Sequence, residues 1–459
     1  MTPGAANRLQ VRAGLGPDPA LGAALQPLPA ARAVERLVEA ASVRREAGSP
    51  PPDWVGEEIA LPRRGAKLTD EQRRALVRQT VQRGVELQGW WIGEMLATPA
   101  PLVERMTLFW HGHFTSGLRE VRLPQLLYRQ NVLLRAHALG NYRELLMTIV
   151  RDPAMLLYLN NQQNRKDAPN ENFARELLEL FTLGEGHYAE ADIREAARAF
   201  TGWKALPPRG EFTVVRRQHD DGVKHFLGAS GNLDGDDIVA LVLQQPRAAE
   251  FIVGKLWREF VTPEPDPAAV RRLAADFRRD WEIAPLVRAL LREASGDARA
   301  AGALVKSPVE FVVGTLRSLD LPLPPRAAAL AAAQMGQTLF APPNVRGWPG
   351  GDAWITTETL LARREFILTL SGERTPATPS ADGDSGTAPE AGALRRRVQQ
   401  GVSRATARLG PLFGERAEAH PPLWGDTLLV LAPVAPAESG ATPADHLQAA
   451  LLDPVYHLK

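Results

Sequence analysis

The chain of 459 residues contains no cysteine. Disulfides, thiolate nucleophiles, cysteine-ligated zinc and cysteine-bound iron–sulfur clusters are therefore excluded. The redox compartment stays open, because a chain without cysteine is at home on either side of a membrane. A surplus of charge is also missing: 54 Lys and Arg stand against 53 Asp and Glu, a formal net charge of +1. A nucleic-acid partner would call for a basic surplus or stripe, so none is expected. The short run Arg395-Arg396-Arg397 has no aromatic rings interleaved with it. No stretch of about 18 apolar residues occurs, so no membrane span is expected. The opening MTPGAANRLQVRAGLGPDP lacks the apolar core of a signal peptide. As written the chain is expected to be cytoplasmic, with export open if its start is truncated or misassigned. The phosphate-binding GxxxxGK[ST], the zinc motif HExxH, the nucleophile elbow GxSxG and the di-iron signature ExxH are all absent.

What is present is ordinary soluble material, 44% hydrophobic and 23% charged. Length alone would allow about three domains. The pattern predicts a mainly α-helical fold, one large multi-helical domain with a small β-hairpin. Residues 1–30, rich in Pro, Gly and Ala, read as irregular. Helical periodicity runs through 31–371, beginning at about 31–47. Thr69 and Gln72 fit a capping box opening a long helix to about Ala97. Helices are expected at about 121–139 and 141–160, with Asn141 as an N-cap, and at about 235–244, 246–260, 267–281, 283–294, 307–319, 326–336 and 356–371. Glu211–Arg217 alternates as a strand, and the Asp-Gly turn signal in 218–222 predicts a hairpin with Val223–Leu227. Residues 372–391 read as a flexible linker or insertion. The part from 392 to 459 carries a helix near 392–410, a strand-like Leu428–Val434 and a last helix at 443–452.

Asn170–Trp203, NENFARELLELFTLGEGHYAEADIREAARAFTGW, is the densest stretch. Phe173, Ala174, Leu177, Leu178, Leu180 and Phe181 share one helical arc; Glu171, Asn172, Arg175, Glu176, Glu179 and Thr182 share the other. The pairs Glu171–Arg175 and Arg175–Glu179 would suit a solvated face. Asn170-Glu171-Asn172 is poor helix material, however, and two amides flanking a carboxylate equally suit a polar ligand. His111-Gly112-His113 is a second candidate. On a helix, side chains two apart diverge by about 200° and cannot share an ion. In a loop, which Gly112 would favour, both could ligate one metal. The plainer alternative is a pair of helix-end histidines packed on Trp110 and Phe114. His219, Asp220, Lys224 and His225 offer either acid/base chemistry or turn chemistry. The stiff loop 341–354, with Arg346 and Trp348, either presents rings and a guanidinium to a ligand or plugs the core.

These blocks resemble the large bacterial domain-of-unknown-function family numbered 1800. The resemblance rests on Phe109-Trp110-His111-Gly112-His113-Phe114, on Asn170–Trp203, and on His219-Asp220 through Lys224, Phe226, Leu227 and Gly228. It extends to Lys306-Ser307-Pro308-Val309-Glu310-Phe311, Pro343-Asn344-Val345-Arg346-Gly347-Trp348-Pro349-Gly350 and Leu451–Tyr456. It implies one helical domain with an inserted linker, convergence of the motif blocks, and a sulfatase-like partner protein. It implies no established reaction. Two functions remain in view. One is a metal-assisted hydrolase or acid/base enzyme. There His111 and His113 would hold a divalent metal, Glu171, Glu176 and Asp220 would be ligands or base, and Asn170, Asn172, Arg175, Lys224, Arg346 and Trp348 would bind substrate. The other is a non-catalytic binding or assembly partner of the sulfatase-like protein, with the polar cluster fixing helix packing. Buried, paired Glu171 and Glu176 are expected if the polar face turns inward.

Overall fold

Proline opens many of the helices, because its missing N–H is unneeded in a first turn and its fixed φ suits one. The computed structural model describes residues 1–58, 69–206, 210–373, 409–419, 428–438 and 440–459. Residues 1–30, expected to be irregular, hold α1 (Pro3–Ala13) and α2 (Pro19–Leu25). The side chains of Thr2 and Asp18 accept from the first turns and offset the weak local propensity. Next come α3 (Ala30–Ser42) and α4 (Asp70–Ala97). The capping box forms as expected: Gln72 N–H donates to Thr69 Oγ1 at 3.2 Å and Thr69 N–H to Gln72 Oε1 at 2.9 Å. After α5 (Pro101–His113), α6 (Leu118–Val121) and α7 (Pro124–Ala136), Asn141 caps α8 (Tyr142–Ile149). Then follow α9 (Pro153–Tyr158), α10 (Asn172–Glu176) and α11 (Glu190–Ala199).

The strands pair differently from the predicted hairpin. β1 (Trp203–Leu206) pairs with β2 (Glu211–Val214), and β3 (Lys224–Phe226) with β4 (Ala229–Gly231), both antiparallel. Residues 211–214 therefore look back to Trp203, and the Asp220–Gly222 turn joins two separate hairpins. Five helices expected from periodicity follow: α12 (Gly235–Gln244), α13 (Pro246–Phe260), α14 (Pro267–Asp280), α15 (Ile283–Gly296) and α16 (Pro308–Leu319). Beyond them are α17 (Pro325–Gln334), α18 (Thr357–Leu370), α19 (Leu409–Ala419) and α20 (Pro443–Leu452). The strand expected at 428–434 is not formed; those residues run through bends and irregular backbone. The linker reading of 372–391 and the helix reading of 392–410 fall almost wholly outside the described residues. The protein is mainly α-helical with small β-hairpins. Among the described residues no helix is long and apolar enough to cross a membrane.

Apolar burial, about 25 cal/mol per Å² removed from water, is the main stabilising term, and here it is divided between two cores. One gathers side chains of α3, α5, α8, the 173–183 segment and α11–α15; the other gathers those of α4 and α16–α20. Helix α5 lies between them. Trp110 and Phe114 enter the first core, with the Trp110 indole donating to Ala138 O at 3.0 Å. His111 turns toward Trp91 and Phe340 of the second. Arg135 is clamped to Glu104 at 2.6 and 2.9 Å with both side chains buried, and the Trp91 indole donates to the same carboxylate at 2.8 Å. Among the described residues, α5 thus joins the two cores through apolar contact and a satisfied charge pair.

Candidate functional site

The segment Leu177–Thr182 is a π-helix, not the continuation of α10 that its periodicity suggests. Leu183 and Gly184 N–H both donate to Leu178 O, at 2.9 and 3.1 Å, and Thr182 Oγ1 donates to Leu177 O at 2.6 Å. The wider turn takes backbone groups out of the ordinary ladder and offers them to other elements. Phe181 O accepts from the Tyr142 hydroxyl and from His113 Nε2, each at 3.1 Å. Leu180 O accepts from Lys255 Nζ at 3.0 Å. Lys255 on α13 also donates to His113 Nδ1 at 3.1 Å. One acceptor and one donor are thereby assigned on the imidazole: Nδ1 receives, Nε2–H gives. Burial first, and the Lys255 charge second, hold His113 well below the usual histidine range. Burial lowers the Lys255 amine to about 8.

The two histidines do not converge. Both lie on α5, so their rings leave opposite faces, and Gly112 does not break the helix. His111 is fully buried among Trp91, Phe340 and Trp348, at ring separations of 5.2, 5.1 and 5.6 Å. Among the described residues neither of its nitrogens has a hydrogen-bond partner, and burial pushes its pKa down to about 3. The shared metal expected from HxH in a loop does not arise from a helical pair. Among the described residues no group of three or more His, Asp or Glu side chains is placed to hold an ion.

The amides and acids of the opening run serve the backbone and each other. Asn170 Oδ1 accepts from Asn172 N–H at 3.0 Å, and Asn172 Nδ2 donates to Leu159 O at 3.1 Å. Glu171 meets Arg175 at 3.1 Å, and Arg175 also grips Glu190 of α11 through two bonds at 2.9 and 3.0 Å. Glu171 is paired but its side chain is 40% exposed, so the inward turn expected for it does not occur. Asp220 sits at the other end of α11, bound to Arg198 at 2.7 and 3.2 Å. Eight residues of helix, about 12 Å of rise, separate Arg198 from Glu190. Arg198 holds the Asp220 carboxyl below its usual range, opposed by burial. Lys224 is buried and donates to the carbonyls of Asp220 and Gly222 at 2.6 and 3.1 Å, closing the turn. His219 Nδ1 is bonded to Thr201 O at 2.9 Å. The Asp220–Lys224 block is turn architecture and does not join the π-turn.

What does gather at the π-turn is a polar rim. Glu179 accepts from Arg346 at 2.8 Å and from the Tyr188 hydroxyl at 3.3 Å. Glu176 is half-buried, and among the described residues it makes no ion pair. Burial raises its pKa, Glu179 raises it further, and Arg346 and Arg175 oppose both. Burial, Glu120 and Glu176 together push the Tyr158 phenol up to about 12. Loop 341–354 reaches this rim from the second core. Leu118 N–H donates to Phe340 O at 2.8 Å, and Gly347, at φ +80°, sits so close that a Cβ would lie 2.6 Å from Gly112 O. Of the expected site residues, Glu176, Arg346, Trp348 and His113 border the region, while Asp220 and Lys224 do not. Sequence reasoning missed Lys255, Tyr142, Tyr158 and Tyr188, and placed Glu179 only on a solvated face. Lys255 shares its helix face with Arg258 and Glu259, so the sequence offered no signal to single it out.

Residues 8–452 match the model of the family described as "Protein of unknown function (DUF1800)". The chain belongs to that family. No curated protein and no solved structure matches it. The family description records no reaction.

Proposed function

We propose that this member of the family acts by binding and assembly, with loop 341–354 and the adjoining π-turn rim as its contact surface. The observation that supports it is pairing within the chain. Asp220, Lys224, Glu171, Arg175 and His113 each have a hydrogen-bond partner of the chain's own. Arg346 stays 66% exposed while Trp348 is half-buried beside it, the Arg-and-Trp combination that interfaces favour. The sulfatase-like protein implied by the family resemblance is the partner to try first. Mixed with such a protein from the same cell, the purified chain is expected to sediment as a complex. Arg346→Glu and Trp348→Ala should each weaken that complex at least about tenfold, with the circular dichroism spectrum unchanged. Absence of a complex, or variants that bind like the parent, would sink the reading.

Glu176 supports a second reading, an acid/base catalyst at the same rim. It is a half-buried carboxylate without an ion pair, raised in pKa and close to Tyr158. In that reading Glu176→Gln removes about 10²-fold or more of whatever turnover a hydrolase screen finds. A stability consequence has a definite sign. The native state holds the Glu176 proton more tightly than the unfolded chain does. Its contribution is therefore complete below the ordinary glutamate pKa and is lost as pH rises through the raised native value. Urea midpoints measured from about pH 4 upward should decline less for Glu176→Gln than for the parent. An identical decline in both would place the titration elsewhere.

A further inference from the structure

A cleft of about 390 Å³ lies far along the chain from the π-turn, between helix α1, the end of α15 and Lys459. Arg8, Arg12 and Lys459 line it, together with small apolar side chains such as Ala5, Ala294 and Ala298. Arg8 and Arg12 are four apart on α1, so they share a face and repel one another by a few tenths of a kcal/mol unless something negative lies between them. Arg12 is 5% exposed and gives N–H groups to the carbonyls of Val261, at 3.1 Å, and Ala300. A guanidinium has five donors; the other three on Arg12 have no partner among the described residues. Arg8 is exposed and has neither carboxylate nor carbonyl partner there.

Behind these two lies a buried ion network. Arg105 is bound to Glu259 at 2.6 Å and to Glu310; Lys459 donates to Glu310 at 2.7 and 2.9 Å. Arg12, Arg105 and Lys459 are buried beside the side-chain carboxylates Glu259 and Glu310. Burial, and then the Arg105 charge, lower the Arg12 pKa to about 10, with Glu259 opposing both. The acid in the cleft wall, Asp297, is already gripped by Arg299 at 2.7 and 3.0 Å. Buried charge is tolerated when it is paired.

We infer that this cleft binds an oxyanion carrying a small apolar body, its charged end on Arg8 and Arg12 and its body against the alanine walls. Guanidinium groups present forked donors that match carboxylate and phosphate oxygens. A cleft of this volume lies within the range of small-molecule sites. Calorimetric titration of the full chain with butyrate and with inorganic phosphate, at constant ionic strength, tests it and separates the two classes of oxyanion. Saturable binding of butyrate, tighter than that of acetate, is expected; saturable binding of phosphate alone would keep the oxyanion site and discard the apolar body. Arg8→Glu should weaken either ligand about tenfold or more, because it reverses charge at the rim. Arg8 has no partner whose loss could unfold the chain, so a binding loss there cannot be put down to misfolding once the thermal midpoint is shown unchanged. No saturable heat with either ligand, or equal affinity for the parent and Arg8→Glu, overturns the assignment.

Discussion

Replacing Glu310 by Gln is expected to lower the unfolding free energy by about 3–5 kcal/mol, the usual cost of removing one partner from a buried ion pair. Three groups depend on that carboxylate. Arg105 and Lys459 donate to it, and Ser307 N–H donates to Oε2 at 2.7 Å in the capping box that opens α16. Gln keeps the shape and one acceptor oxygen, so the cap survives in part. The charge does not survive, and among the described residues Arg105 and Lys459 are then left with Glu259 as their side-chain carboxylate partner. Arg105 is fully buried and has nowhere to hydrate. A urea titration of parent and variant gives the difference directly. A loss below about 1 kcal/mol would mean that water reaches the network and screens it. Because the same network backs the oxyanion cleft, a bound anion should recover part of the loss by linkage only if it prefers the folded chain.

The network also shows what could and could not be read in the sequence. Capping residues announce themselves within four positions, so Thr69 with Gln72 and Asn141 before α8 were legible and lie where expected. Long apolar periodicity placed α12 to α16 equally well. Elements of three or four residues carry too little period, and the hairpins were mispaired for that reason. A π-turn keeps nearly the same alternation of apolar and polar residues as an α-turn, so nothing in Leu177–Thr182 distinguished them. The site fared worst. Its central contact joins His113 to a lysine 142 residues away, and no local pattern carries such a pairing. Glu310 closes the capping box of α16, and the tertiary fold also makes it the counter-ion of Arg105. The family resemblance holds over residues 8–452, but the convergence of motif blocks it implied fails for the Asp220–Lys224 block, which secures a turn.

Trp110→Ala is expected to cost about 3–5 kcal/mol, since a fully buried indole is lost and a cavity left between packed helices. The ring packs on Phe109, His113, Phe114 and Tyr142 at separations of 4.8 to 5.8 Å, and its N–H is satisfied by Ala138 O. Two of those neighbours, His113 and Tyr142, are the donors to Phe181 O. Loss of the ring should therefore loosen the π-turn as well as the core, and hydrogen exchange of Leu183 and Gly184 N–H should quicken beyond the global change. Trp348→Ala is the informative contrast. That ring touches His111 from a half-exposed loop, and its removal should cost only about 1 kcal/mol. Chemical unfolding of the two variants side by side decides what loop 341–354 is for. A small cost at Trp348 leaves the ring available to a partner, as a contact surface requires. A cost equal to that of Trp110 would make the loop part of the core and remove it from the proposed interface.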